Sequence, residues 1–281
     1  MAPDVPWWSD DPISSLSEDD LQRGPFAKQV AVVLDEVGAA SATSTVIAVT
    51  GPWGSGKTSI LKLALQHLKL AAWRIAWLNP WALSGPDAVT HELIASIASV
   101  MPDDKASRRI KETLIRYNDY ATPLFALAPG GKVLEAWQKT ANARRETNSL
   151  DRISRDLSRR LQESPHRILI VIDDIDRLQP DELLALFKSV RVLGRLPNVH
   201  YLLAFDQDTL LHVLAQTSLA HGDESRALAF LEKLVTVRLD QPPIRTEQAD
   251  EMLDTAIRAV LTRASINPTE DQTRRLVLER E

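Results

Sequence analysis

The sequence predicts an α/β fold, a mostly parallel five-stranded sheet flanked by helices. Three observations predict it. Five β-type runs, residues 46–50, 74–78, 168–173, 199–205 and 234–239, are separated by stretches of helical periodicity. The first, third and fourth runs are almost continuously apolar, which suits parallel strands covered on both faces. The second and fifth are weaker, and Val235, Val237 and Leu239 alternate with polar residues as an edge strand does.

The connecting segments follow in order. Phe26, Val30, Val33, Leu34 and Val37 mark one face of a helix before the first strand. Val89, Leu93, Ile94, Ile97 and Val100 mark a second, after the second strand. Leu183, Leu184, Phe187, Val190 and Leu193 mark a third, with Pro180 and Asp181 suited to its start. Strands alternating with helices imply crossover connections. Residues 102–164 are too long for one helix and predict a helical insertion. Within it, residues 144–160 are rich in arginine, with Ile153, Leu157 and Leu161 on the inner side, and Pro129-Gly130-Gly131 marks a loop. After Pro242-Pro243 a helical stretch carries Met252, Leu253, Ile257, Val260 and Leu261 on its apolar side. The predicted division is a nucleotide-binding domain over residues 1–243 and the start of a helical lid over 244–281. The helix-like run at Glu281 reads as part of a longer protein.

The 281 residues can bury a full core, and a net charge of -5 argues against coating nucleic acid by bulk charge. There is no cysteine, so disulfides and thiolate metal sites are excluded. The six histidines are scattered and show no metal-ligand spacing. Residues 1–20 are acidic and lack the pattern of a secretory signal. No apolar run reaches the roughly 20 residues of a membrane helix. The expectation is a soluble, cytoplasmic protein with no membrane contact.

Gly51-Pro52-Trp53-Gly54-Ser55-Gly56-Lys57-Thr58-Ser59 fits G-x-x-x-x-G-K-[ST], between an apolar strand and a helix. Glycine lets the chain curl so that backbone N–H groups point at phosphate oxygens. The helix N-terminus adds partial positive charge. Lys57 is placed to reach the β- and γ-phosphates, and the Thr58 hydroxyl to bind Mg²⁺. The third strand runs straight into Asp173-Asp174-Ile175-Asp176-Arg177. Asp173 is then the second Mg²⁺-holding residue, and Asp174 the candidate to polarise the attacking water.

Asp206 ends the fourth run. In ATPases with an added strand between the two motif strands, this position carries a polar residue facing the γ-phosphate. Asp206 equally suits an N-cap before residues 209–214. A guanine-reading N/T-K-x-D is absent after this strand, which favours ATP.

Together these blocks resemble the KAP P-loop NTPases. The resemblance rests on Asp11-Pro12-Ile13, Glu18-Asp19-Asp20-Leu21-Gln22-Arg23, Pro25-Phe26-Ala27, the tryptophan in the phosphate loop, Asn79-Pro80-Trp81, Ile172-Asp173-Asp174-Ile175-Asp176-Arg177, Leu203-Ala204-Phe205-Asp206 and Leu231-Glu232-Lys233. It spans roughly residues 10–243. It implies the strand order 5-1-4-3-2, an ATPase related to the STAND signalling class, and a nucleotide-driven switch or assembly role. Bacterial members occur in antiphage defence systems, Qat being one example. The resemblance therefore implies other protein subunits as partners and a possible homo-oligomer. Nucleic acid is an open alternative. Many ATPases of this division carry glutamate where this chain has Asp174, and the shorter side chain implies slow hydrolysis.

Several residues have two readings. Arg177, Arg191 and Arg195 are candidates for stabilising γ-phosphate charge or for surface ion pairs, and Lys233 is similar. Trp53 and Trp81 pack either beside the nucleotide or in the core. Arg23 borders the base or simply opens a helix. The arginine-rich stretch, interleaved with Glu146, Asp151 and Asp156, is either a solvated helix or a nucleic-acid contact.

Overall fold

Successive residues of a strand face opposite sides of its sheet, so an unbroken apolar run requires cover on both sides. That is the arrangement in this chain. The computed structural model describes residues 11–40, 44–105, 107–115, 152, 155–193 and 196–263. Strands β1 (Val46–Thr50), β2 (Trp73–Leu78), β3 (Arg167–Ile172), β4 (Val199–Phe205) and β5 (Val237–Asp240) form one sheet in the order β2-β3-β4-β1-β5. Every pairing is parallel. This is the expected 5-1-4-3-2 order, with the two weaker runs on the edges.

On one side, Ile47, Val49, Leu169, Val171, Leu202 and Ala204 pack against Val30 and Leu34 of the Gly24–Ala40 helix and Ile60, Leu61 and Ala64 of the Lys57–His67 helix. On the other, Ile168, Ile170, Ile172, Tyr201, Leu203 and Phe205 meet Leu93 and Ile97 of the Pro86–Ser99 helix and Phe187 and Val190 of the Pro180–Leu193 helix. The Gln207–Ala215 and Glu224–Leu234 helices complete this layer through Leu210, Leu214 and Leu231. Thr50 lies opposite Phe205, and Ile172 opposite Leu203. The carboxyl ends of β1, β3 and β4 therefore share one edge, where ligands of open α/β sheets sit.

The fifth strand begins later than the periodicity predicts. Leu234 closes a helix, and the Val235 N–H still donates to the Leu231 carbonyl at 2.9 Å, a helical bond. The chain joins the sheet only where the Thr236 N–H donates to the Val46 carbonyl at 2.8 Å. In the predicted insertion, residues 107–115 and 155–162 are helical, with Ile110, Leu114, Leu157 and Leu161 buried. The loop at 129–131, and Ile153, lie outside the described residues. The helix after the double proline runs Thr246–Arg263, with Met252, Leu253 and Val260 exposed.

Strand alternation also buries His200 fully, edge-on to Trp73 at 5.4 Å, with neither ring nitrogen hydrogen-bonded. Burial, and then the charge of Arg167, lower its pKa to about 4. The folded state thus keeps His200 neutral where the unfolded state takes up a proton. Stability from this source is complete above pH ~6.5 and declines as pH falls towards about 4, by roughly 3 kcal/mol. A His200→Leu variant is expected to lack this part of the decline in denaturant titrations between pH 7 and 4. Parallel curves for variant and wild type would contradict it.

Candidate nucleotide site

The loop after β1 is built as a cradle. The Gly51 N–H donates to the Phe205 carbonyl at 3.3 Å, anchoring the loop to β4. Gly54 and Gly56 have φ of 73° and 86°, a region side chains disfavour, and a Cβ at either would meet nothing within 4 Å. The curl therefore opens onto free space at the N-terminus of the Lys57–His67 helix, whose first N–H groups have no partner within the helix. That geometry fits phosphate groups. The Lys57 ammonium donates to the carbonyls of Gly51 at 3.0 Å and Pro52 at 2.9 Å, folded back over the loop it is expected to share with a triphosphate.

Thr58 and Asp173 meet. The threonine Oγ1 donates to Asp173 Oδ2 at 2.7 Å across 115 residues of sequence. A hydroxyl and a carboxylate are the oxygen donors Mg²⁺ prefers. Burial raises the Asp173 carboxyl above the usual range, with the Thr58 hydrogen bond opposing. Its other oxygen accepts the Asp174 N–H at 2.9 Å. Asp174 itself has φ 57° and ψ 31°, the left-handed region that aspartate tolerates better than most residues. This turn brings its carboxylate onto Arg177 Nε, at 3.0 Å.

Arg177 is also held by two aromatic rings. Its guanidinium lies 4.6 Å from the centre of the Trp53 ring and 6.0 Å from that of Trp81. Both tryptophans are more than half exposed, at 59% and 51%, so they line the rim of the site and do not fill the core.

Asp206 takes the N-cap placement and also reaches the phosphate loop. Oδ1 caps the Gln207–Ala215 helix by accepting the Thr209 N–H at 3.0 Å, and Oδ2 accepts the Trp53 N–H at 2.9 Å. Partial burial opposes ionisation of Asp206, but these N–H donors outweigh it and hold the carboxyl below its ordinary range. The Asp206 N–H in turn donates to the buried carboxylate of Asp176 at 2.8 Å. Asp176 thus fixes the end of β4 to the turn after β3. The motif contained it, but its spacing assigned it no task.

Gln241 has no sequence signal at all. It follows β5, which lies beside β1, and its amide reaches Ser55 across 186 residues of sequence. Oε1 accepts from the Ser55 hydroxyl at 2.9 Å, and Nε2 donates to the Ser55 carbonyl. A Cβ on Gly51 would sit 2.6 Å from Oε1, so Gly51 makes room for this clamp. One residue on, the Pro242 carbonyl accepts from Arg23 Nη1 at 2.6 Å. Arg23 is buried, and Gln248 of the last helix donates to the Leu21 carbonyl at 2.9 Å. Gln241→Ala leaves the Ser55 carbonyl unpaired, a loss of about 2 kcal/mol or roughly 5 °C in melting temperature. It is also expected to weaken nucleotide binding about tenfold by loosening the cradle. Unchanged melting and unchanged binding would show the clamp to be idle.

Other candidates fall elsewhere. The Ser59 hydroxyl accepts the Ile13 N–H at 3.3 Å, so its side chain fastens the entry segment to the loop helix. Arg191 and Lys233 are exposed, and Arg195 lies outside the described residues. In the arginine-rich stretch, Arg159 and Arg160 pair with Asp156 at 2.6 and 2.9 Å, as a solvated helix does. Among the described residues, no helix is long and apolar enough to cross a membrane, and no cluster of three or more His, Cys, Asp or Glu could hold a metal ion.

A phosphate cradle after β1, an acidic pair after β3 and a polar residue after the strand between them define a P-loop NTPase domain. The chain belongs to the KAP family: the KAP family P-loop domain matches residues 23–279. The Phage T7 exclusion protein of Escherichia coli (strain K12) is 26% identical over 238 residues, which cover 71% of this chain and 30% of that protein. This chain thus spans under a third of that relative's length. Similar solved structures include Cdc6p from Pyrobaculum aerophilum, at 17% identity and a TM-score of 0.45, covering 90% of this chain and 52% of that one. The Aeropyrum pernix Orc1 protein in complex with DNA follows at 18% identity and a TM-score of 0.41, covering 92% and 51%. Similarity at this level assigns no function.

Proposed function

We propose that the chain is a slow, Mg²⁺-dependent ATPase whose nucleotide state switches shape or assembly. The observation that carries this reading is the Thr58–Asp173 hydrogen bond, which joins the phosphate loop to the acidic strand end. The backbone of residues 51–59 holds the phosphates, and Lys57 leaves its two loop carbonyls for the β- and γ-phosphate oxygens. Thr58 and Asp173 hold the metal ion, which neutralises phosphate charge when bound. Asp174 takes the proton of a water whose oxygen bonds to the γ-phosphorus. The bond from that phosphorus to the bridging oxygen breaks, and its electron pair leaves with ADP. Asp206 holds the loop through Trp53 and faces the terminal phosphate from the β4 side. A carboxylate one methylene shorter than glutamate accounts for slow turnover. The missing guanine-reading pattern favours ATP over GTP.

The domain division at residue 243 belongs to this reading. The lid segment responds to nucleotide through Gln241 and Pro242. The similarity to a phage exclusion protein suggests a part in antiviral defence, with other protein subunits or further copies of the chain as partners. The net charge of -5 disfavours a nucleic-acid motor.

The test is to incubate the purified full-length protein with Mg²⁺-ATP and measure phosphate release and mass together. Slow release with a nucleotide-dependent change in mass is expected. Binding without release under any condition would leave a non-hydrolysing scaffold. Turnover at the rate of a fast motor would exclude a slow switch.

A further inference from the structure

Arg177 occupies an unusual position for a surface arginine. Its guanidinium is shared among the carboxylate proposed as the base, a ring of the phosphate loop and a ring following β2. Trp53 is the third residue of that loop, and its N–H is held by Asp206. Asp174 directly follows the residue bonded to Thr58. The guanidinium therefore bridges the two walls of the site, beside the place where the terminal phosphate must sit if Lys57 and Thr58 contact it.

We infer that Arg177 has two positions: paired with Asp174 and stacked on Trp53 without ATP, and moved onto the γ-phosphate when ATP is present. This rests on the ATPase reading above and adds to it an arginine supplied by the chain itself. The physical case has three parts. Arg177 Nε sits 3.0 Å from Asp174 Oδ1, on the carboxylate oxygen that an attacking water would have to reach, so the pair blocks Asp174 until something withdraws the arginine. A γ-phosphate carries more charge than one carboxylate and offers the guanidinium two oxygens in a fork it matches. The two rings are more than half exposed, so the guanidinium can leave its cation–π contact with Trp53 without opening the core. ADP lacks the γ-phosphate and so leaves Arg177 on Asp174, which makes the movement a sensor of the triphosphate. Arg191 shows no comparable link to either motif, since it is exposed on the Pro180–Leu193 helix.

The experiment compares tryptophan emission and turnover in wild type, Arg177→Ala and Arg177→Lys, with Trp53→Phe to assign the signal. In wild type, Mg²⁺-ATP and Mg²⁺-ADP are expected to give different Trp53 emission. In Arg177→Ala the two nucleotides should give the same emission, ATP should bind within about threefold of wild type, and turnover should fall at least about a hundredfold. Arg177→Lys keeps a charge without the fork, and its turnover should fall about tenfold. It serves if the alanine variant does not fold. Turnover within threefold of wild type in either variant overturns the inference. So does a wild type that binds both nucleotides with identical Trp53 emission. A wild type that binds ATP but releases no phosphate would defeat the hydrolysis reading, while the emission comparison still decides whether Arg177 moves. A wild type that binds no ATP removes both.

Discussion

Lys57→Ala is expected to abolish measurable ATP binding, lowering affinity at least about a hundredfold, or roughly 3 kcal/mol. Without nucleotide, the lysine is held by the loop itself. Its ammonium donates to two loop carbonyls, those of Gly51 and Pro52. These contacts are replaceable by water, because Pro52 is exposed and Gly51 only partly buried. Removing the side chain therefore leaves the fold intact, and melting should shift by no more than about 2 °C. With a triphosphate in the cradle, water is no substitute. The β- and γ-phosphates bring negative charge into a site whose other nearby side chains include Asp173, Asp174 and Asp206. Without Lys57 that charge loses the cation nearest the loop, and the backbone N–H groups, the metal ion and Arg177 are left to offset it. Equilibrium titration with a fluorescent ATP analogue, alongside a melting curve, checks both halves. Binding within fivefold of wild type would mean the lysine is not at the phosphates.

Asp174→Asn is expected to bind ATP normally and to turn over about a hundred- to ten-thousandfold more slowly. Asparagine suits this position structurally. It tolerates the left-handed backbone at φ 57° as well as aspartate does, so the turn before Arg177 should survive. Its side chain has nearly the same shape but takes no proton from water at neutral pH. The Asp174–Arg177 pair is part-exposed, so its loss costs little stability. Single-turnover measurement with a trapped Mg²⁺-ATP complex separates binding from chemistry. Hydrolysis at the wild-type rate would show that another group, or none, activates the water.

Much of this architecture was legible in the chain because the signals are local. The phosphate loop is one contiguous motif bounded by a strand and a helix. The apolar runs of β1, β3 and β4 reported their double cover directly. Asp173 and Asp174 were legible because a strand end is a short-range feature. The contacts that hold the site together are not local. Gln241 acts on Ser55 only because β5 lies beside β1, a fact of sheet order that no spacing encodes. Asp176 was visible as a residue, yet its task depends on the β4 end arriving beside it. Trp53 and Trp81 illustrate a different limit. Large aromatics are usually buried, but here an arginine between them makes partial exposure tolerable. The start of β5 was misplaced because Leu234 and Val235 are apolar for the sake of a helix end.

The junction of Arg23, Gln241 and Pro242 has a mechanical meaning. Two segments more than 200 residues apart in the chain are pinned together beside the phosphate cradle. The Thr246–Arg263 helix leaves that pin as a rigid rod of 18 residues, about 27 Å long at 1.5 Å per residue. Under the proposed switch it would act as a lever with a short arm at Ser55 and a long arm in solvent. A rotation of about 10° at Pro242-Pro243 would displace its far end by about 5 Å. The gain comes from leverage alone, so a shift of the loop too small to alter its own hydrogen-bond pattern can still be large where the helix ends.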